Sequence, residues 1–167
     1  DQEGGRIQRF RDGFTRLPAL AQIGLLYDRD RDAGLRLARD AGYVMAAELL
    51  AAGVDLSFAP VLDLASGVSE VIGGRAFHAT ADGVGALGTA YVGGMRRAGM
   101  QATGKHFPGH GRVAADSHHT LPVDRRLYED IADDLAPFGR LVRGDISAIM
   151  TAHVLYPDVD AVPATFS

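Results

Sequence analysis

Three stretches of the chain set apolar residues on one arc at helical spacing. The first carries Leu37, Ala41, Val44, Met45 and Leu49, the second Val84, Leu87, Tyr91 and Met95, and the third Leu127, Ile131, Leu135, Phe138 and Val142. Each runs into a glycine (Gly53, Gly99, Gly144) of the kind that closes a helix in a left-handed conformation. A short run with strand character follows each glycine, at 56–59, 100–104 and 146–152. The glycines lie 46 and 45 residues apart (99 − 53 and 144 − 99), so the chain repeats a unit of helix, glycine, strand and long loop. That alternation predicts an α/β fold, with a parallel sheet and helices outside it.

Polar residues recur at one phase of the repeat. Asp63 follows the first strand, Lys105 and His106 end the second, and His153 ends the third. Asp1, in the glycine-rich segment Asp1-Gln2-Glu3-Gly4-Gly5-Arg6, fits the tip of a strand lying before it. A doubly wound sheet gathers its chemistry at one switch point, whereas a (β/α)8 TIM-type barrel builds its site from the C-terminal ends of all its strands. Chemistry after every strand favours the barrel. A complete barrel takes roughly 250 residues, and this chain has 167. Residues 1–167 are therefore expected to form an incomplete central portion of a single catalytic barrel domain. Its N-terminal strands and a C-terminal part are expected to lie outside the sequence.

Composition narrows the classes. A net charge of −4, with 47% hydrophobic and 23% charged residues, is ordinary for a folded protein and leaves no basic stripe for nucleic acid. The absence of cysteine excludes a disulfide scaffold, thiol catalysis and Cys-ligated zinc. The most apolar stretch, 43–60, is interrupted by Glu48 and Asp55, so no membrane span is expected. The first residues do not read as a leader, and the chain is expected to be cut at its front and also at its back.

Three motif matches fail on context. Residues 83–88 fit G-x-G-x-x-G, but they fall inside the second predicted helix rather than between a strand and a helix, where small residues serve close packing. Residues 99–105 fit G-x-x-x-x-G-K, yet they are themselves a predicted strand and His106 stands where Ser or Thr is needed. Asp28, Asp30 and Asp32 resemble a calcium loop, but Ala33 replaces the required glycine and Arg39 the final glutamate; a capping aspartate explains the run better.

The fourth motif is stronger. Lys105-His106-Phe107-Pro108-Gly109-His110-Gly111-Arg112 is followed by Asp116-Ser117-His118-His119, so four of the six histidines fall within fourteen residues. His106 and His110 have the i, i+4 spacing of a helical zinc site, but Pro108 and Gly109 between them oppose a helix. A metal held in a loop by His106, His110 and Asp116 stays open as an alternative. Asp116 and His118 offer different chemistry. A histidine gives and takes a proton near neutral pH, and a carboxylate two residues away can fix its tautomer and stabilise the imidazolium. His119 is expected to point elsewhere if the segment is extended. No G-x-S-x-G elbow supports a serine hydrolase.

Taken together these segments resemble the bacterial family 3 glycoside hydrolases, specifically the β-N-acetylglucosaminidases (β-hexosaminidases) of cell-wall recycling. The resemblance rests on Asp1-Gln2-Glu3-Gly4-Gly5-Arg6-Ile7-Gln8-Arg9, on 53–63, on Val71-Ile72-Gly73-Gly74-Arg75-Ala76-Phe77, on Lys105 to Gly111 with Asp116-Ser117-His118, and on 163–167. It implies a retaining, two-step removal of a terminal β-linked N-acetylglucosamine from peptidoglycan-derived muropeptides, in the cytoplasm and without a cofactor or metal. By the same resemblance Asp1, Arg9, Arg75, Lys105 and His106 grip the sugar, His118 is the general acid/base and Asp116 its partner. Long cationic donors beside a carboxylate suit a polyhydroxyl ligand. The family's nucleophilic aspartate falls in a motif beyond Ser167, so residues 1–167 alone are expected to be inactive. The partner expected is an N-acetylglucosamine-containing sugar, with no nucleic acid and no membrane; no oligomeric state is specified. Two other functions stay open: a metal-dependent barrel hydrolase using His106, His110 and Asp116, and a non-catalytic sugar-binding module.

Overall fold

The computed structural model of the protein describes residues 1–116 and 119–167. A short hairpin opens the chain, with β1 (Gln2–Gly4) antiparallel to β2 (Ile7–Gln8). Helices α1 (Leu20–Arg29) and α2 (Arg31–Ala51) follow, then α3 (Ala81–Ala98), β3 (Thr103–Phe107), α4 (Ala132–Arg143) and β4 (Ala148–Thr151).

The three expected helices form, each for a local reason. Asp30 caps α2 by accepting from the Ala33 N–H at 2.9 Å, which is the role expected for an aspartate in that charged run. Thr80 caps α3 by accepting from the Gly83 N–H, and Gly99 closes it at φ 97°. Val84, Leu87, Tyr91 and Met95 are all buried along α3. The third helix is preceded by a 3-10 turn, Tyr128–Ile131, and its pattern slips at the ends: Leu127 and Val142 are exposed, while Leu141 is buried. Helix α1 breaks the expected repeat, being an additional helix packed on α2.

Gly144 does not take the left-handed cap expected of it. Its φ is −92° and the turn is completed one residue later, at Asp145, with φ 58°. The strand positions shift as well. Residues 56–59 contribute only an isolated bridge, Ser57 to Ala102, with a second from Val61 to Lys105. The second strand begins later than expected and runs through Lys105, His106 and Phe107. Both bridges are parallel, as is the β3–β4 ladder, so three successive segments of the repeat lie side by side in the same direction.

Helix α2 packs against α3, α3 against α4, and α4 against β3. Glycines set the spacing. A Cβ on Gly94 would fall 1.9 Å from the Arg39 carbonyl oxygen, and one on Gly42 would fall 2.3 Å from that of Tyr91. The G-x-G-x-x-G match also serves packing, since a Cβ on Gly88 would meet Leu62 at 2.9 Å. Ile23, Met45, Leu49, Leu62, Leu87, Met95 and Phe138 fill the main core. A smaller cluster of Val113, Ile131, Val154 and Tyr156 lies under the long loop that follows β3.

Candidate active site

The ends of β3 and β4 open onto a cavity of about 660 Å³. Asp1, Arg9, Arg75, Lys105, His106 and Asp116 all line it, joined by Arg6, His110 and His153. Six of the seven residues singled out for the site thus face one space, although they span positions 1 to 116 of the chain. His118, the seventh, lies with Ser117 outside the described residues.

Two buried carboxylates organise the wall, and neither is among those seven. Glu3, on β1, receives the Arg75 guanidinium as a fork, Nε to Oε2 at 2.8 Å and Nη2 to Oε1 at 2.9 Å. The Lys105 ammonium lies 2.6 Å from the same Oε1 and 2.7 Å from Oδ1 of Asp1. Burial pushes the Glu3 carboxyl up, but Arg75 and Lys105 outweigh it and hold the group below the usual carboxylate range. Burial pulls Lys105 below its usual value, with Glu3 opposing. Asp1 remains about a third exposed, leaving carboxylate oxygen free for hydroxyl groups.

Asp63 is the second organiser. Its Oδ1 accepts from the backbone N–H of His110 at 2.7 Å and of His106 at 3.3 Å, and Oδ2 lies 2.7 Å from Nδ1 of His106. A carboxylate only accepts, so Nδ1 carries a proton, and in the neutral imidazole Nε2 of His106 keeps a lone pair. This histidine is therefore set to receive a hydrogen bond. His110 is buried, its ring 6.1 Å from that of His106, and neither of its ring nitrogens has a hydrogen-bond partner among the described residues. Burial lowers its pKa, so it resists protonation.

Asp116 is half-buried on the cavity wall and its charge acts on both Arg75 and His110. The N–H groups of His119 and Thr120 both donate to the Asp116 carbonyl, each at 3.0 Å. Nε2 of His119 lies 3.9 Å from Oδ2 of Asp116; its direction relative to His118 falls outside the described residues. Among the described residues no three His, Cys, Asp or Glu side chains are grouped to hold a metal ion. Lys105 is committed to carboxylates, which also fits the rejection of a phosphate loop at 99–105.

Glu3 has a sequence signal that composition hides. It stands two residues from Asp1, and side chains two apart on an extended segment share a face. Asp63 is marked only by its place after a strand.

Comparison with known proteins assigns the chain to a family. Residues 1–167 match the glycosyl hydrolase family 3 N-terminal domain. A protein named beta-hexosaminidase from Thioalkalivibrio sulfidiphilus is 60% identical over 167 residues, covering all of this chain and 48% of the relative. One of the same name from Bordetella pertussis is 60% identical over 169 residues, with the same coverage. The chain thus spans about half the length of the curated relatives it matches. Among solved structures, NagZ from Neisseria gonorrhoeae in complex with N-trifluoroacetyl-D-glucosamine superposes with a TM-score of 0.96 at 50% identity, covering 100% of this chain and 49% of that one. A family 3 beta-N-acetylglucosaminidase from Paenibacillus gives 0.92 at 41%, covering 100% and 31%. The chain belongs to glycosyl hydrolase family 3, within the N-terminal domain that is of TIM-barrel type in these enzymes.

Proposed function

We propose that this chain supplies the sugar-holding wall of a retaining β-N-acetylglucosaminidase, as the central portion of a (β/α)8 barrel. The observation that carries the reading is the convergence of Asp1, Arg75, Lys105 and His106 on the cavity that Asp116 also lines. Arg75 and Lys105 donate, Asp1 and the free Nε2 of His106 accept, and a sugar ring offers hydroxyls that do both. Fixed donors and acceptors hold the glycosidic bond in one pose, which is where positioning contributes to rate. Arg9 stands at the same cavity and adds a cationic donor.

In this reading His118, oriented by Asp116, gives its proton to the leaving glycosidic oxygen as a carboxylate attacks the anomeric carbon. The nucleophile comes from sequence beyond Ser167. In the second step His118 takes a proton from the water that releases the sugar. The substrates are terminal β-linked N-acetylglucosamine residues of peptidoglycan-derived muropeptides, in the cytoplasm. The names of the relatives and the N-acetylglucosamine-type ligand of the Neisseria structure support the substrate class.

The test is hydrolysis of 4-nitrophenyl N-acetyl-β-glucosaminide by a protein joining this chain to the remaining length its relatives have. Turnover is expected, and His118→Ala is expected to lower kcat by about 100-fold or more with the sugar still bound. Absence of turnover in the parent, or unchanged turnover in the variant, contradicts the reading.

A further inference from the structure

We propose that Glu3 is a positioning residue for sugar recognition, setting the pose and charge of Arg75 and Lys105 from behind the cavity wall. The proposal rests on the sugar-binding role of the cavity and names a residue that this role needs without contact to the ligand.

The Glu3 side chain is 2% exposed and is not part of the cavity lining, whereas both of its cationic partners are. Its carboxylate ties together three separate segments: its own strand β1, the 3-10 turn Gly73–Arg75 and strand β3. Arg75 has five N–H donors. Among the described residues three are engaged, two by Glu3 and one by the Val71 carbonyl at 3.3 Å. Two therefore remain for a ligand. Lys105 has three, of which Glu3 and Asp1 take two. Each cation thus keeps donor capacity on the cavity while its direction is set from the opposite side.

Without Glu3, the two cations would share a desolvated wall with Asp1 in contact with Lys105 and with Asp63 and Asp116 acting only from farther off, and burial already acts against a charged Lys105. Their like-charge repulsion would splay the pair, and Arg75 would regain the rotamers that the fork removes. A plain structural ion pair has no reason to hold two cations on the lining of the one cavity that also gathers Asp1, His106 and Asp116.

Glu3→Gln keeps length and volume but loses the charge, and its amide turns an N–H toward one of the three donors. Glu3→Asp keeps the charge on a stem one methylene shorter. Both are measured in the protein joined to its remaining barrel sequence, with KM and kcat on 4-nitrophenyl N-acetyl-β-glucosaminide and the inhibition constant of free N-acetylglucosamine. Glu3→Gln is expected to raise KM and the inhibition constant at least about tenfold, and Glu3→Asp is expected to recover part of that loss. Simple loss of folded protein would instead lower the apparent kcat and leave KM and the inhibition constant unchanged. Should Glu3→Gln not fold, Glu3→Asp decides by the same split. Values within twofold of the parent, or a fall confined to kcat, overturn the assignment. A parent that neither hydrolyses the glycoside nor binds N-acetylglucosamine overturns the sugar-binding role first and the Glu3 proposal with it.

Discussion

Replacing Asp63 by Asn isolates one proton. The two backbone N–H bonds both end on Oδ1, while among the described residues Oδ2 meets Nδ1 of His106 alone, at 2.7 Å. An asparagine can therefore keep its oxygen toward the backbone and place its amide nitrogen at the former Oδ2 position. That nitrogen donates, so Nδ1 must become the acceptor and the ring proton moves to Nε2. A charge-assisted bond worth about 1.5–3 kcal/mol gives way to a neutral one worth about 0.5–1.5. Relief from burying a charge offsets part of the difference, leaving about 1 kcal/mol of destabilisation. The cavity changes more. His106 now presents a donor where it had a lone pair, and a sugar hydroxyl that donated to it must turn round. Because a hydroxyl can also accept, the loss sits at the low end of a hydrogen-bond deletion, about 1–1.4 kcal/mol, or roughly fivefold to tenfold in KM. Urea unfolding gives the stability change, steady-state kinetics give KM, and long-range 15N–1H correlations of the His106 ring give the tautomer. A ring proton that stays on Nδ1, or one that moves with no change in KM, refutes the reasoning.

Other positions give independent checks. Gly94→Ala would drive a methyl into the Arg39 carbonyl across the α2–α3 contact, and is expected to cost about 3 kcal/mol by urea midpoint. His110 is held neutral by burial, its pKa lowered from the usual value. A depressed histidine contributes stability that is whole above the unfolded value of about 6.5 and is lost as pH falls below it. Unfolding free energy is therefore expected to drop between pH 7.5 and pH 5, and His110→Leu is expected to flatten that drop. The facing charges of Asp63 and Asp116 oppose the shift and that of His106 adds to it. Glu3, whose carboxyl is also held low, adds its own loss only at more acid pH, below the usual carboxylate range.

Much of the helical frame was legible because helical periodicity survives in the buried positions of α2 and α3. It was least reliable at the ends of α4, where Val142 is exposed and Leu141 takes the core position. Glycine alone did not determine the caps: Gly99 is left-handed, whereas at the end of α4 Asp145 takes that conformation in place of Gly144. The strand expected at 56–59 reduces to isolated bridges because its partners are chosen by tertiary packing. At the site, long polar side chains on the cavity lining were readable as chemistry at strand ends. The roles of Glu3 and Asp63 were not, although Asp63 was marked by its place after a strand, because their importance lies in which donors they meet, at sequence distances of 72 and 43 residues. Only the Asp1–Glu3 spacing hints at it. The Arg126 bridge between buried Asp124 and Asp134, at 2.6 and 2.8 Å, pins the loop after β3 to α4 and likewise has no local signature.

A crystal structure of the protein joined to its remaining barrel sequence, soaked with N-acetylglucosamine, shows where the sugar sits. The account predicts the sugar ring in the cavity at the ends of β3 and β4, with its hydroxyls within about 3.2 Å of Asp1, Arg75, Lys105 and Nε2 of His106. A sugar bound elsewhere, with those four groups untouched, contradicts it.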